Sequence, residues 1–202
     1  NMAIDFARIC DPDRPTTQKT RFRSDGQQVL RVDEELTASI PDAVQERLLD
    51  NVKSQLAAVD GVILSDYAKG GLPVSLMQQI IAAANDAGIP VIADPKQPDF
   101  SSYAGASLLT PNLAELRVAT GLADDSLEAI ARAAGTLAAT HSIDAILVTL
   151  SARGMLLSDA TGDWQHAPAE AREVFDVSGA GDTVVAMLAA CLAAGIAHHD
   201  AL

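Results

Sequence analysis

Short apolar segments alternate with helix-like segments along most of this chain, and this alternation constrains its fold more than any other feature. The segments that predict strands lie at 61–66, 91–95, 107–111, 145–149, 154–158 and, as an edge strand, 163–166. Between them, apolar residues recur at helical spacing in the segments 41–56, 73–88, 113–120 and 126–140. Such alternation predicts an α/β fold, with a mostly parallel sheet covered by helices on both faces.

Residues 17–33 predict a small antiparallel β-hairpin, because two alternating segments flank a turn-forming Ser-Asp-Gly sequence. In the second strand, the period of two places Leu30 and Val32 on one face. Arg31 and Asp33 fall on the opposite face, where they are neighbours. Val29 shares the face of Arg31 and Asp33, so the second strand has one apolar and one partly polar face.

Polar residues follow several of the predicted strands at the point where each strand ends. They are Ser65-Asp66, Asp94-Pro95, Thr110-Pro111-Asn112 and Thr149. In open α/β sheets, ligands bind at the carboxyl ends of the parallel strands. We therefore expect these side chains to surround a ligand site.

The overall charge and composition exclude several classes of protein. The chain has 202 residues and a formal net charge of −13, which argues against nucleic acid or an anionic membrane surface as a partner. No apolar run reaches the ~20 residues that a membrane span needs, and two distant cysteines fit a reducing cytoplasm. The histidines show no metal-ligand spacing supported by other ligands, and His198 and His199 predict a solvated helix exit.

The segment 173–195 carries the main chemical signal. A short apolar strand precedes the turn Gly179-Ala180-Gly181, and Asp182 opens a long Ala/Leu/Val-rich segment that predicts a buried helix. Unpaired amides at a helix N-terminus favour an anion, and an acid beside a phosphate site suits a general base in phosphoryl transfer. The alternative is an ordinary Gly-rich turn in which Asp182 only caps the helix.

The string D-V-S-G-A-G-D at 176–182 resembles the signature D-T-x-G-A-G-D of the ribokinase-like (PfkB) family of sugar and nucleoside kinases, with Val177 in place of the usual Thr. The resemblance implies a ribokinase-like fold in which Gly179, Ala180 and Gly181 form an anion hole and Asp182 is the catalytic base. In some relatives the residue matching Asp176 helps to hold a monovalent cation such as K⁺. A loop carboxylate that caps local amides is the alternative for Asp176.

Two further segments resemble nucleotide-site motifs of the same family. Asn112-Leu-Ala-Glu115 matches N-x-x-E, which implies that Asn112 approaches the ATP phosphates and that Glu115 organises Mg²⁺ through water. A capping box is the alternative, since Glu115 is the third residue of the predicted helix. The segment from Thr149 to Gly154 resembles T-x-G-x-x-G beside the nucleotide, with Ser151 replacing the first Gly. A strand end followed by a turn also accounts for that segment.

The segments 15–21, 28–33, 65–70 and 94–96 resemble those of bacterial heptose 7-phosphate kinases. The resemblance implies substrate binding by a set of mostly basic residues: Lys19, Arg31, Asp33, Lys69 and Lys96. Lysine and arginine both bind phosphate, as a point charge and a bidentate donor respectively. Spacing leaves open which of them meets the sugar phosphate and which meets ATP, and a solvated charged hairpin face is the alternative.

The resemblance covers nearly the whole chain but only the later part of a ribokinase-like domain. It implies one kinase domain, 1–202, that lacks its N-terminal part, with a hairpin lid at 17–33 and an α/β core with the nucleotide site at 41–202. The implied activity is ATP-dependent phosphorylation of the anomeric hydroxyl of D-glycero-β-D-manno-heptose 7-phosphate by a cytoplasmic homodimer, on the route to ADP-heptose for lipopolysaccharide. The alternatives are another ribokinase-like sugar or nucleoside kinase, or a noncatalytic nucleotide-binding or dimerisation fragment.

Overall fold

The computed structural model describes residues 8–24, 27–169 and 179–202. Its strands are β1 (Gln18–Ser24), β2 (Gln27–Glu34), β3 (Val62–Ser65), β4 (Val91–Asp94), β5 (Leu108–Leu109), β6 (Ala145–Thr149), β7 (Met155–Asp159) and β8 (Trp164–Ala167). Its α-helices are α1 (Asp42–Gln55), α2 (Val74–Asp86), α3 (Leu113–Thr120), α4 (Leu127–His141) and α5 (Ala180–Ala193). The predicted elements within the described ranges are confirmed, with boundary shifts of a few residues.

The six strands β3 to β8 form one sheet in sequential order. Pairing is parallel from β3 to β6 and antiparallel from β6 to β8. The predicted mostly parallel sheet is therefore confirmed, as is the predicted position of β8 at an edge. The carboxyl ends of the four parallel strands meet at one end of the sheet, which is where the polar strand-end residues gather.

The two faces of the sheet are covered unequally. Because the parallel strands advance in one direction, right-handed crossovers place their connecting helices on the same face. Alternate strand residues show the division: Ile146 and Val148 face the main core with α2 and α4, whereas Ala145 and Leu147 face α5. Among the described helices, α5 is the one that packs against this second face.

The prediction that the segment after Asp182 is a buried helix is wrong in part. Within α5, Val185, Leu188 and Ala189 are buried against the sheet. The opposite face of the helix is exposed, and Met187 retains 62% of its accessible surface. One helix contacts a sheet along one stripe only, so an Ala/Leu/Val-rich composition does not by itself bury every side.

The two-stranded β1–β2 sheet stands apart from the main sheet, and its antiparallel pairing confirms the predicted hairpin. Phe22 faces Leu30 across the strands, and Arg21 faces Arg31. One face is therefore apolar and the other is charged, as the period of two predicts. The turn at Asp25-Gly26 lies outside the described residues.

None of the described helices has the length and apolar content that a membrane span requires.

Candidate active site

A cavity of about 130 Å³ lies at the carboxyl ends of the parallel strands. It brings together five residues that the sequence assigned to ligand binding, and these are Lys96, Asn112, Glu115, Thr149 and Gly181. Asp94, the last residue of β4, also lines it. The strand ends and the N-terminal turns of α3 and α5 therefore converge on one point, as expected for an α/β ligand site.

Asn112 and Glu115 form the capping box that the spacing allows. The Asn112 side chain accepts the Glu115 N–H at 2.9 Å, and Glu115 Oε2 accepts the Asn112 N–H at 2.8 Å. The box fixes the start of α3 and directs the Glu115 carboxylate to the cavity. Capping therefore uses Oε2 and leaves Oε1 for another partner, so the two roles considered for Glu115 are compatible.

Lys96 supplies that partner. Its Nζ lies 2.7 Å from Glu115 Oε1 and 3.3 Å from Asp94 Oδ1. Burial by itself lowers the pKa of Lys96, but the hydrogen bond to Glu115 and the charge of Asp94 raise it above its ordinary value. Lys96 therefore remains an ammonium, and it belongs to the cavity of Asn112 and Glu115.

Asp182 lies close enough to this cluster for its charge to act on Asp94. Burial raises the pKa of the Asp94 carboxyl, the Lys96 ammonium lowers it, and the charges of Glu115 and Asp182 raise it further, so that it lies above its ordinary value. Three carboxylates with a single ammonium carry an excess of negative charge. Such an arrangement attracts a cation, and hard oxygen ligands fit Mg²⁺.

The N-terminus of α5 faces the same cavity through Gly181. Gly179 precedes the helix at φ +80°, a left-handed conformation that favours glycine, and within the described residues no side chain caps the helix. A Cβ at Gly181 would have no atom within 4 Å, so the space beside this backbone is open to a ligand. Asp182 is exposed in the first turn. Asp176 lies outside the described residues.

Thr149 and Gly154 have different surroundings. Thr149 lines the cavity, and its N–H donates to Pro111 O at 2.9 Å. Gly154 has φ +88°, and a Cβ there would lie 2.0 Å from Ala167 O. The β6–β7 turn therefore requires glycine at this position. Gly154 is not one of the described residues that line the cavity. Ser151 adopts φ +53°, the left-handed region, where the family pattern has glycine.

A second cavity, of about 620 Å³, lies between the hairpin and the end of β3, and Lys19 and Lys69 line it. Lys69 pairs with Glu35, and this hydrogen bond raises the pKa of the lysine above its ordinary value. Arg31 and Asp33 form an ion pair at 3.0 Å on the charged face of the hairpin. The basic residues thus divide into two groups: Lys19, Arg31 and Lys69 on the hairpin side, and Lys96 on the Glu115 side.

Asp66 was expected among the polar residues at the strand ends, whereas no local pattern pointed to Arg14 or Tyr103. The Arg14 guanidinium donates to the carbonyls of Leu36, Ala38 and Lys69, which ties the base of the hairpin to the loop after β3. Asp66 directly follows Ser65, the last residue of β3, so its position after a strand is a usable signal. For Arg14 and Tyr103 the signal was absent, because their hydrogen bonds join residues distant in sequence.

His198 and His199 are not a solvated helix exit. His198 Nε2 lies 3.1 Å from Ser107 O, and His199 Nε2 lies 3.2 Å from Asp159 Oδ2. Asp163 completes a group whose ligand atoms lie within 4.8 Å of one another. The Nδ1 atom of His199 is buried, with no hydrogen-bond partner among the described residues. That Nδ1 is left without a partner whether Nε2 donates to Asp159 or binds a metal, so it does not distinguish the two.

The fold and the site together define a ribokinase-like kinase domain. A solved ribokinase from Arabidopsis thaliana, complexed with ribose and ATP, is similar over 94% of this chain and 60% of that chain, with a TM-score of 0.71 and 24% identity. Phosphofructokinase-2 from Escherichia coli, in complex with potassium, gives a TM-score of 0.74 and 19% identity over 91% of this chain and 59% of that chain. The family model described as pfkB family carbohydrate kinase matches residues 3–202, and the chain belongs to this family.

Several curated relatives of this chain are bifunctional proteins named HldE. That of Paramagnetospirillum magneticum is 48% identical over 198 residues, which cover 98% of this chain and 41% of the relative. That of Rhodopseudomonas palustris strain HaA2 is 49% identical over 189 residues, or 93% of this chain and 39% of the relative. The chain therefore spans about two fifths of the length of these relatives.

Proposed function

We propose that this chain is the kinase portion of a D-glycero-β-D-manno-heptose 7-phosphate kinase, which transfers the γ-phosphate of ATP to the anomeric hydroxyl of the sugar. The observation that carries the proposal is the juxtaposition of two cavities at one end of the sheet. The first has the features of a nucleotide and metal site. The second is lined by Lys19 and Lys69, from segments that resemble heptose 7-phosphate kinases. The product would enter ADP-heptose synthesis for lipopolysaccharide.

Asp182 is the proposed general base. It stands in the first turn of α5, exposed and next to the helix amides that would meet the transferring phosphoryl group. The carboxylate takes the proton of the anomeric hydroxyl as that oxygen attacks the γ-phosphorus and the β–γ bridging oxygen leaves with ADP. The amides of Gly179, Ala180 and Gly181 stabilise the charge that develops on the phosphoryl oxygens.

Glu115, through water, is the residue proposed to hold Mg²⁺, with the Asp94 carboxylate beside it. Both offer the oxygen ligands that Mg²⁺ prefers, and the excess of carboxylates over ammonium groups in this cavity supports the assignment. When bound, the ion neutralises charge on the ATP phosphates. Lys96 lies within the same cluster, so we assign it to ATP in preference to the sugar phosphate. Asn112 and Thr149 complete the proposed nucleotide side, and Asp176 is retained as the proposed monovalent-cation residue.

On the other side, Lys19, Arg31 and Lys69 are proposed to meet the sugar phosphate. Arg21 faces Arg31 directly across the hairpin, and like charges in that position repel each other. A phosphate dianion bound to this face relieves the repulsion. Asp33 pairs with Arg31, and its negative charge contributes to the raised pKa of Lys69. It is therefore placed to orient both cations.

The apolar face of the hairpin supports a homodimer. Phe22, Leu30 and Val32 expose 52%, 54% and 42% of their surface on the face opposite the cations. A two-stranded hairpin is marginally stable by itself, and pairing with the hairpin of a second copy would cover these side chains. We propose such a dimer, in the cytoplasm, where ATP is available.

The decisive experiment measures ATP consumption by the full-length protein with heptose 7-phosphate and Mg²⁺, using ribose and fructose 6-phosphate as controls. Selective turnover on the heptose is the expected result. Turnover on a control sugar, or on a nucleoside, would replace heptose by another acceptor within the same family. ATP binding without turnover on any acceptor would favour a noncatalytic nucleotide-binding or dimerisation module.

We propose that residues 1–202 form the later part of one kinase domain, with the hairpin as its lid and residues 41–202 as its α/β core. The match of the family model to 3–202 supports the part of this proposal that assigns both segments to one family domain. Limited proteolysis of the full-length protein tests it, because one domain would resist cleavage between the hairpin and the core once both substrates are bound.

A further inference from the structure

The phenol of Tyr103 lies at the junction of the two cavities, although its side chain is fully buried. Its hydroxyl donates to Asp66 Oδ2 at 2.6 Å. Its oxygen accepts the backbone N–H groups of Lys96 and Gln97, each at 3.0 Å. A tyrosine hydroxyl has one proton and two lone pairs, so every hydrogen-bonding position is used. A group so completely bonded has a fixed position.

On the hairpin side, this hydroxyl acts through the Lys69 loop, defined as residues 66–70. Asp66 is 2% exposed, and its second oxygen, Oδ1, accepts the Ala68 N–H at 2.8 Å. Ala68 has φ +51°, a left-handed conformation that is rare for alanine. At the end of the loop, the Gly70 carbonyl accepts the Ile40 N–H at 2.9 Å. Lys69 is therefore presented to the cavity from a backbone that Asp66 holds in place.

On the nucleotide side, the same hydroxyl acts through the Lys96 loop, defined as residues 95–97. The backbone N–H groups of Lys96 and Gln97 both donate to the phenol oxygen. The Lys96 side chain leaves the loop on the other side and reaches Glu115 Oε1 at 2.7 Å. The position of this ammonium therefore depends on the phenol as well.

We propose that Tyr103 is a positioning residue that fixes the Lys69 loop and the Lys96 loop relative to each other, and thereby sets the distance between the acceptor sugar and the γ-phosphate of ATP. This inference rests on the proposed function. Phosphoryl transfer requires the attacking oxygen to lie in line with and near the phosphorus, so the relative placement of the two subsites matters more than the affinity of either.

Tyr103→Phe in the full-length protein tests the inference, because it keeps the ring and removes the hydroxyl. Calorimetry with ATP counts the folded nucleotide sites, and kcat is then expressed per site. We expect kcat per site to fall on the order of 10–100-fold, as misplaced reactants predict, while ATP affinity changes by less than about threefold. Hydrogen exchange without sugar should show that the amides of Ala68, Lys96 and Gln97 lose protection together.

Phe100→Leu is the matched control. Phe100 packs edge-to-face on Tyr103, with ring centroids 6.2 Å apart, and touches none of the three hydrogen bonds. This variant should unfold at a lower temperature with unchanged kcat per site. The positioning role is overturned if Tyr103→Phe behaves like this control. In that case it would lower only the melting temperature or the number of ATP sites, and kcat per site and amide protection would stay normal. Wild-type protein that phosphorylates no acceptor would instead remove the proposed function, an outcome visible before any variant is made.

Discussion

Lys96 and Glu115 form a direct ion pair in which Nζ lies 2.7 Å from Oε1, while Oε2 of the same carboxylate caps α3. One oxygen of the Glu115 carboxylate therefore caps the helix, and the other binds the Lys96 ammonium. The two roles can be separated by mutation. Capping needs only a hydrogen-bond acceptor, whereas binding a cation needs a negative charge.

Glu115→Gln should separate the two duties. The amide oxygen of glutamine can still accept the Asn112 N–H, so unfolding free energy should stay within about 0.5 kcal/mol of wild type. Loss of the charge should raise the Mg²⁺ concentration needed for half-maximal activity about tenfold. Glu115→Ala is the control, since it removes the cap as well and should cost about 1 kcal/mol. Equal Mg²⁺ dependence in wild type and Glu115→Gln would contradict the assignment.

Asp182→Asn should slow phosphoryl transfer strongly without affecting the fold. Asp182 is exposed in the first turn of α5, so its replacement by an amide of the same size leaves packing unchanged. A general base contributes about 10²–10⁴-fold to rate, and kcat should fall by that factor. ATP affinity, measured by calorimetry, should remain within about threefold. Normal turnover by this variant would exclude Asp182 as the base.

Gly154→Ala should destabilise the protein more than it weakens ATP binding. The new Cβ would lie 2.0 Å from Ala167 O, and the β6–β7 turn would have to move at a cost of about 3 kcal/mol. Gly162→Ala is the control, because Gly162 has a similar φ of +89° with no atom within 4 Å of a Cβ. It should cost about 1 kcal/mol. Denaturant unfolding measures the free energy of unfolding of both variants. Equal losses would show that the backbone moves to relieve the clash at Gly154.

Asp159→Asn should remove a pH-dependent part of stability. Burial raises the pKa of Asp159, but hydrogen bonds from Thr161 and His199 outweigh it, so the pKa lies below its ordinary value of 3.8. A carboxyl with a lowered folded pKa stabilises the protein above the unfolded pKa, and this stability is lost as pH falls through the folded value. The difference in unfolding free energy between wild type and variant should therefore shrink as pH falls below about 4. A difference for Asp159→Asn that does not vary with pH would contradict the prediction.

The sequence by itself determined the order and type of the elements, because strand and helix periodicity, Pro41 and Pro73 before α1 and α2, and the cap at Asn112 are local signals. It also placed polar residues at the strand ends. What it could not give is the unequal covering of the sheet by helices, which follows from the direction in which the parallel strands advance.

The division of the basic residues was likewise decided by tertiary structure. Spacing left Lys69 and Lys96 equivalent, but Lys69 pairs with Glu35 at the hairpin and Lys96 with Glu115 beside α3. The Tyr103 hydroxyl, which links the loops of these two lysines, bonds to Asp66, 37 positions away in the sequence. No local sequence pattern marks such a contact. Local sequence encodes the elements through short-range sterics and hydrogen bonds. Which charges meet depends on how the elements pack, because an ion pair between distant residues forms only after the chain has brought them together.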